Sequence, residues 1–288
     1  MRDPVLFSVI VGGLTVAIVA MWGWRQYQWF RTRRAPFPEK WLALVRKSVP
    51  FYDHMPSELQ QQLQAHITRF LFEKRFVGCA GLEVSEEMTV TIAASACLLL
   101  LNRPTLHFRN VRWIYLYPAE FVVRHTVHDV AGVVSSEEGV LAGESWSDGK
   151  VILSWDDVQK SVYDFNDGRN VVLHEFAHQL DAESGSMNGA PLLRSRGAYG
   201  SWATILSREF NSLRDHVYFG EESVLDSYGA SHPAEFFAVA TESFFEDPET
   251  LSEEHPALYN ELLAYYQVDP REWRPKIAPR RVKPVEET

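Results

Sequence analysis

Residues 171–189 read VVLHEFAHQLDAESGSMNG, with His174 and His178 four residues apart and Glu175 beside the first. On a helix this spacing stacks both imidazoles on one face and sets the carboxylate next to them. Val171, Val172, Leu173, Phe176 and Leu180 surround the motif with apolar side chains, and neither proline nor glycine interrupts Val171–Asp181. The pattern predicts a helix buried beneath a cleft. Its plainer alternative is an amphipathic helix with two core histidines. Imidazoles are borderline ligands that suit zinc, and a catalytic zinc takes three protein ligands and keeps a fourth position for water. Glu175 would then be the general base, taking a proton from the attacking water and passing it to the leaving amine.

A third ligand must come from elsewhere in the chain. After His178 the next histidine is His216, so a third histidine at short spacing is excluded. Downstream, residues 231–248 read SHPAEFFAVATESFFEDP. Pro233 suits the first turn of a helix. Glu235 follows it among Phe236, Phe237, Val239, Ala240, Phe244 and Phe245. An acid on so apolar a helix is costly unless it is paired or bound to metal. His232 is a lesser alternative, since it precedes Pro233 in an expected loop. Glu242 lies two turns along the face of Glu235 and is placed either on a ligand histidine or in solvent. Asp181 has the same two options.

Outward from the motif, Leu59, Leu63, Ile67, Phe70 and Leu71 recur at helical spacing over Pro56–Lys74. Val90–Asn102 reads as a buried run that is helical after its first residues. Val111–Val123 and Gly149–Val158 are β-branched and aromatic, and predict strands. Ser135–Trp146 reads as a strand or hairpin. Helices are expected over Ala198–Val217, Pro233–Phe245 and Pro256–Tyr266. The order predicts an α+β fold, a small sheet followed by a helical half, with substrate between the sheet edge and the motif helix. Glu120, Glu144 and Glu183 are candidates for clamping a substrate amine.

Residues 35–270 carry 17 Lys and Arg against 34 Asp and Glu. Such an acidic body argues against direct nucleic-acid binding, which neutralises phosphates with basic side chains. The only two cysteines, Cys79 and Cys97, are too few for a disulfide framework and read as buried thiols. Residues 271–288 form a basic tail, expected to be flexible.

Pro4–Trp24 is a 21-residue stretch without charge, followed by Arg25, Arg31, Arg33 and Arg34. Its length matches a hydrocarbon core of roughly 30 Å. Residues 1–34 are therefore expected to be a transmembrane anchor with a basic juxtamembrane stretch. A cleaved signal peptide would be shorter and end in small residues. The arginines place the body on the cytoplasmic face of the inner membrane, as a single-pass protein.

HEFAHQLD, followed by DSYGASHPAEFFAVATESFF, resembles the Mlc titration factor A family of zinc metallopeptidases. LYPAEFVV and SWDDV share in the likeness, which runs from about Pro36 to Pro270. The resemblance implies a zincin-like, gluzincin-type domain over residues 35–270. It implies Zn2+ on His174, His178 and Glu235, with Glu175 as catalytic glutamate and Tyr228 as the active-site tyrosine. A phenol there can donate a hydrogen bond to the oxyanion of a tetrahedral intermediate. The resemblance further implies peptidase action on peptides or flexible protein segments, with an aminopeptidase-like preference. The alternative it carries is a regulatory protein that titrates a transcriptional repressor similar to Mlc and retains a weakly active zinc site. The membrane segment departs from the family pattern.

Overall fold

The computed structural model describes residues 4–104, 107–119, 125–128, 134–137 and 149–274. Two compact units divide at residue 38. The first contains α1 (Pro4–Arg34), with Arg31, Arg33 and Arg34 in its last turn. Among the described residues no helix is long and apolar enough to cross a membrane. This corrects the expected transmembrane helix over 1–34, the inner-membrane location and the cytoplasmic orientation. It equally corrects the partnership with a membrane and the membrane segment added to the family resemblance.

The second unit opens with α2 (Glu39–Ser48) and α3 (Ser57–Glu73). Leu59, Leu63, Ile67 and Phe70 form the buried stripe of α3. A short strand, β1 (Arg75–Gly78), leads to α4 (Glu86–Leu98), where every residue from Val90 to Leu98 is buried. The Ser85 hydroxyl starts α4 by accepting the Met88 amide at 3.2 Å. β2 (Trp113–Tyr117), β3 (His125–His128), β4 (Val134–Glu137) and β5 (Lys150–Ser154) follow.

β1, β2 and β5 form a parallel sheet in that order, while β3 and β4 pair antiparallel. Ile114 sits between Phe76 and Val151, and Leu116 between Gly78 and Leu153. Ile114, Leu116, Val151 and Leu153 are all buried, as the period of two requires for a packed face. The expected strand over 149–158 stops at Ser154. There the hydroxyl accepts the Asp157 amide and caps α5 (Trp155–Tyr163). The small sheet and large helical part are those of an α+β domain. Among the described residues no membrane-spanning helix precedes it, which corrects the expected architecture.

Beyond the sheet come α6 (Val171–Ala182), α7 (Ala198–Phe219) and α8 (Pro233–Glu246). α9 (Pro248–Glu254) and α10 (Pro256–Tyr266) complete the helices. Phe176 of α6 packs on Phe70 and Phe108, with ring centroids 5.5 and 4.8 Å away. These apolar contacts seat the motif helix against the rest of the core. Cys97 is buried and Cys79 is half-buried. Trp273 is buried, and the Arg274 guanidinium donates to Asn166 Oδ1 and to the carbonyls of Phe165 and Glu246. The rest of the tail, residues 275–288, lies outside the described residues.

Candidate metal centre

Asn170 begins α6 by accepting the amides of Val172 at 3.1 Å and Leu173 at 3.0 Å. From that start, His174 and His178 rise on one face, with ring centroids 4.8 Å apart. Glu235 enters from the first turn of α8. Its Oε2 lies 3.0 Å from His174 Nε2 and 3.1 Å from His178 Nε2, and the two nitrogens are 3.2 Å apart. These three side chains can hold a metal ion. His232 instead caps α8, its Nδ1 accepting the Ala234 amide at 3.2 Å.

Glu242 Oε1 lies 2.7 Å from His174 Nδ1, while its Oε2 accepts the Asn170 amide at 2.5 Å. A carboxylate on Nδ1 keeps a proton there and turns the Nε2 lone pair towards the cluster. Asn170 Nδ2 donates to Glu246 Oε1 at 2.9 Å. Burial pushes Glu246 well above the ordinary carboxylate range, with the nearby Glu242 charge adding to the shift and the Asn170 hydrogen bond opposing it. The roles of Asn170 and Glu246 were not read from the sequence. An asparagine just before an apolar helical run is a capping signal, but nothing local points to a carboxylate 76 residues away.

The electrostatics fit a cation. Burial raises Glu235, yet its hydrogen bonds with His174 and His178 outweigh this and hold it at about 2. Burial lowers His174, but the Glu242 and Glu235 carboxylates raise it well above its ordinary value. His178 is lowered to about 4, chiefly by burial. With His174 raised, a proton on its Nε2 faces Glu235, while Nδ1–H faces Glu242. A divalent cation can take Nε2 once the proton there leaves, and Nδ1 keeps its own. Glu242→Ala is expected to weaken metal binding about 10–100-fold, as loss of a carboxylate behind a ligand histidine does. Competition with a chromophoric chelator measures it.

Glu175 is raised to about 8 by burial, with Glu235 and Glu242 adding to the shift and His174 opposing it. A carboxyl titrating near neutrality is matched to proton transfer. Tyr228 lies on the 3-10 turn Ser227–Ala230, whose start Asp226 caps by accepting the Tyr228 amide at 2.8 Å. Its ring centroid is 6.0 Å from that of His174. Burial, then the charges of Glu235 and Glu175, raise its phenol, which therefore remains a donor. A cavity of about 550 Å3 opens here, lined by His174, Tyr228, Glu242, Arg169 and Asp226 among others.

Among the described residues, the hydrogen bond of Asp181 goes to the backbone and not to an imidazole. It is fully buried and accepts the Gly189 amide at 2.7 Å. Glu183 is half-buried just past the end of α6, whereas Glu120 and Glu144 lie outside the described residues.

A family profile described as "Glucose-regulated metallo-peptidase M90" matches residues 21–267. An uncharacterized protein of Synechocystis sp., slr2042, is 38% identical over 271 residues, covering 91% of this chain and 98% of the relative. Mlc titration factor A of Klebsiella pneumoniae is 36% identical over 226 residues, covering 77% and 84% respectively. The protein of the same name from Salmonella arizonae is 34% identical over 233 residues, covering 80% and 92%.

Proposed function

Because the chain belongs to the glucose-regulated metallo-peptidase M90 family, we propose that His174, His178 and Glu235 hold a zinc ion and that this centre hydrolyses peptide bonds. The observation that carries the reading is the meeting of two imidazole nitrogens and one carboxylate oxygen at 3.0–3.2 Å, with Glu175 next to His174 in the chain. Two nitrogens and one oxygen from three residues are the donor set of a catalytic rather than a structural zinc. Zinc held there supplies Lewis acidity, lowering the pKa of water towards 7 and polarising a carbonyl.

The chain's own groups do the rest. Glu175 accepts the proton of the attacking water and delivers it to the departing amine nitrogen, so the carboxyl ends each turnover as it began. Glu242 holds the His174 ring through Nδ1. Tyr228 donates its phenolic hydrogen to the oxyanion that develops on the carbonyl oxygen. Tyr228→Phe is expected to lower kcat by about 10–100-fold with KM and zinc content little changed, because one donor acting in the transition state is lost. Steady-state kinetics with metal analysis of the same samples checks it.

A second reading is favoured by the names of the relatives. They are titration factors, and those names bear on regulation more directly than on cleavage. In that reading the chain titrates a transcriptional repressor similar to Mlc, and the zinc centre is weakly active. The two are separated by assaying the full chain and Glu175→Gln for peptide cleavage and for release of the repressor from operator DNA. Cleavage without release supports the peptidase. Release by both proteins, with little cleavage by either, supports titration.

A further inference from the structure

We infer that Asp181 and Gly189 form a positioning clasp that sets where Glu235 meets the two histidines. The inference rests on the reading of His174, His178 and Glu235 as metal ligands. It concerns what holds two helices in register before any metal arrives.

Asp181 follows His178 by three residues on α6 and is 0% exposed. Its carboxylate faces the loop beyond the helix, where Oδ2 accepts the Gly189 amide at 2.7 Å. In the next peptide, the Gly189 carbonyl accepts the indole N–H of buried Trp202 at 2.8 Å. Gly189 is thus held through both its amide and its carbonyl. Its φ is +78°, and a Cβ built there would stand 2.4 Å from the Pro233 carbonyl oxygen. The two backbones approach at a distance that glycine alone permits.

Pro233 is the first residue of α8, and Glu235 lies in the same turn. The path therefore runs from the helix with both imidazoles, through Asp181, to Gly189, and by backbone contact to the start of the helix with the third ligand. At the opposite ends of the same two helices, Asn170 is bonded to Glu242 and Glu246. The pair runs antiparallel and is fastened at both ends. Metal–ligand distances tolerate about ±0.2 Å. A Cβ at 2.4 Å from an oxygen must displace it further than that, so a methyl group at Gly189 moves the start of α8 out of tolerance.

A matched control lies in the same loop. Gly185 has φ +99° but a Cβ there would meet nothing within 4 Å. Gly185→Ala strains the loop without touching α8, whereas Gly189→Ala does both. With the full chain and zinc, Gly189→Ala is expected to lose about 10–100-fold in affinity, the range for groups that orient ligands. Gly185→Ala should stay within about threefold of the native value even where its Tm falls comparably. Asp181→Ala should lose affinity as Gly189→Ala does. Asp181→Asn, which keeps an oxygen for the Gly189 amide, should recover most of it, and this pair carries the test if Gly189→Ala does not fold.

Equal losses in the two glycine variants, or native affinity in Gly189→Ala and Asp181→Ala, would overturn the clasp. Should the native chain bind no zinc, the metal reading fails by itself. The clasp is then decided in the metal-free protein by the imidazole NMR signals of His174 and His178, which contact Glu235. Displacement of those signals in Gly189→Ala but not in Gly185→Ala supports the clasp, and no displacement in either rejects it.

Discussion

Glu175→Gln is expected to lower kcat for peptide hydrolysis by about 10²–10⁴-fold, the range of general acid–base catalysis, while zinc content and fold remain native. Glutamine matches glutamate in shape and still hydrogen-bonds, but it cannot accept the proton of the attacking water. At about 1.36 kcal/mol per tenfold, the loss corresponds to about 3–5 kcal/mol of transition-state stabilisation. The pH profile gives a second readout. Below its pKa the Glu175 carboxyl is protonated and cannot act, so native activity falls as the pH drops through that value. In the metal-free protein the value is about 8, and a neighbouring dication moves it downward by favouring the carboxylate. The acidic limb assigned to Glu175 should vanish in Glu175→Gln. Turnover equal to native on a susceptible peptide would sink the general-base role.

Glu235→Ala is expected to lose zinc by more than about 100-fold in affinity, exceeding the effect of removing a group that only orients a ligand. His232→Ala should retain it, since His232 caps α8 rather than joining the cluster. Metal analysis after dialysis against a weak chelator distinguishes them, and full zinc occupancy in Glu235→Ala would refute the assignment. The pH dependence follows from the same groups. His174 is raised well above its ordinary value in the metal-free state, so zinc uptake must expel a proton and weakens as the pH falls. Glu235 is depressed from 4.5 to about 2. Its contribution to folding is therefore present above pH 4.5 and is lost as the pH falls towards 2. Acid unfolding of metal-free Glu235→Ala should lack that component.

Several elements were legible in residue patterns because they depend on near neighbours. The α3 stripe and the span of α10 follow from apolar spacing and a leading proline, and the stacking of His174 on His178 from a four-residue step on a helix. Other boundaries were not legible. β1 has four residues, none fully buried, and becomes a strand through pairing with β2, whose residues lie 38 positions on. β5 ends where Ser154 caps the next helix, a competition between strand propensity and a side-chain acceptor that a run of aromatic and branched residues conceals. The N-terminal stretch suggested a span by its length, its lack of charge and the arginines after it, and among the described residues no helix is long and apolar enough to cross a membrane.

By itself, the sequence determined the chemistry offered to a cation: two imidazoles one helical turn apart, a glutamate beside them, and an acid on a later apolar helix. Those are properties of residue type and local spacing, and helix geometry converts them directly into a shared face. Only the tertiary structure decided which acid met the histidines and which stood behind them. Glu235 and Glu242 are alike in type and apolar setting, and both lie on α8. The antiparallel packing of α8 on α6 carries the first to the Nε2 atoms and the second to Nδ1 of His174. The same packing brings Gly189, which donates to Asp181, against the Pro233 backbone, an approach that no side-chain pattern encodes. Hydrogen bonds act over about 3 Å, so their partners are chosen by how the helices pack, not by where the residues stand in the chain.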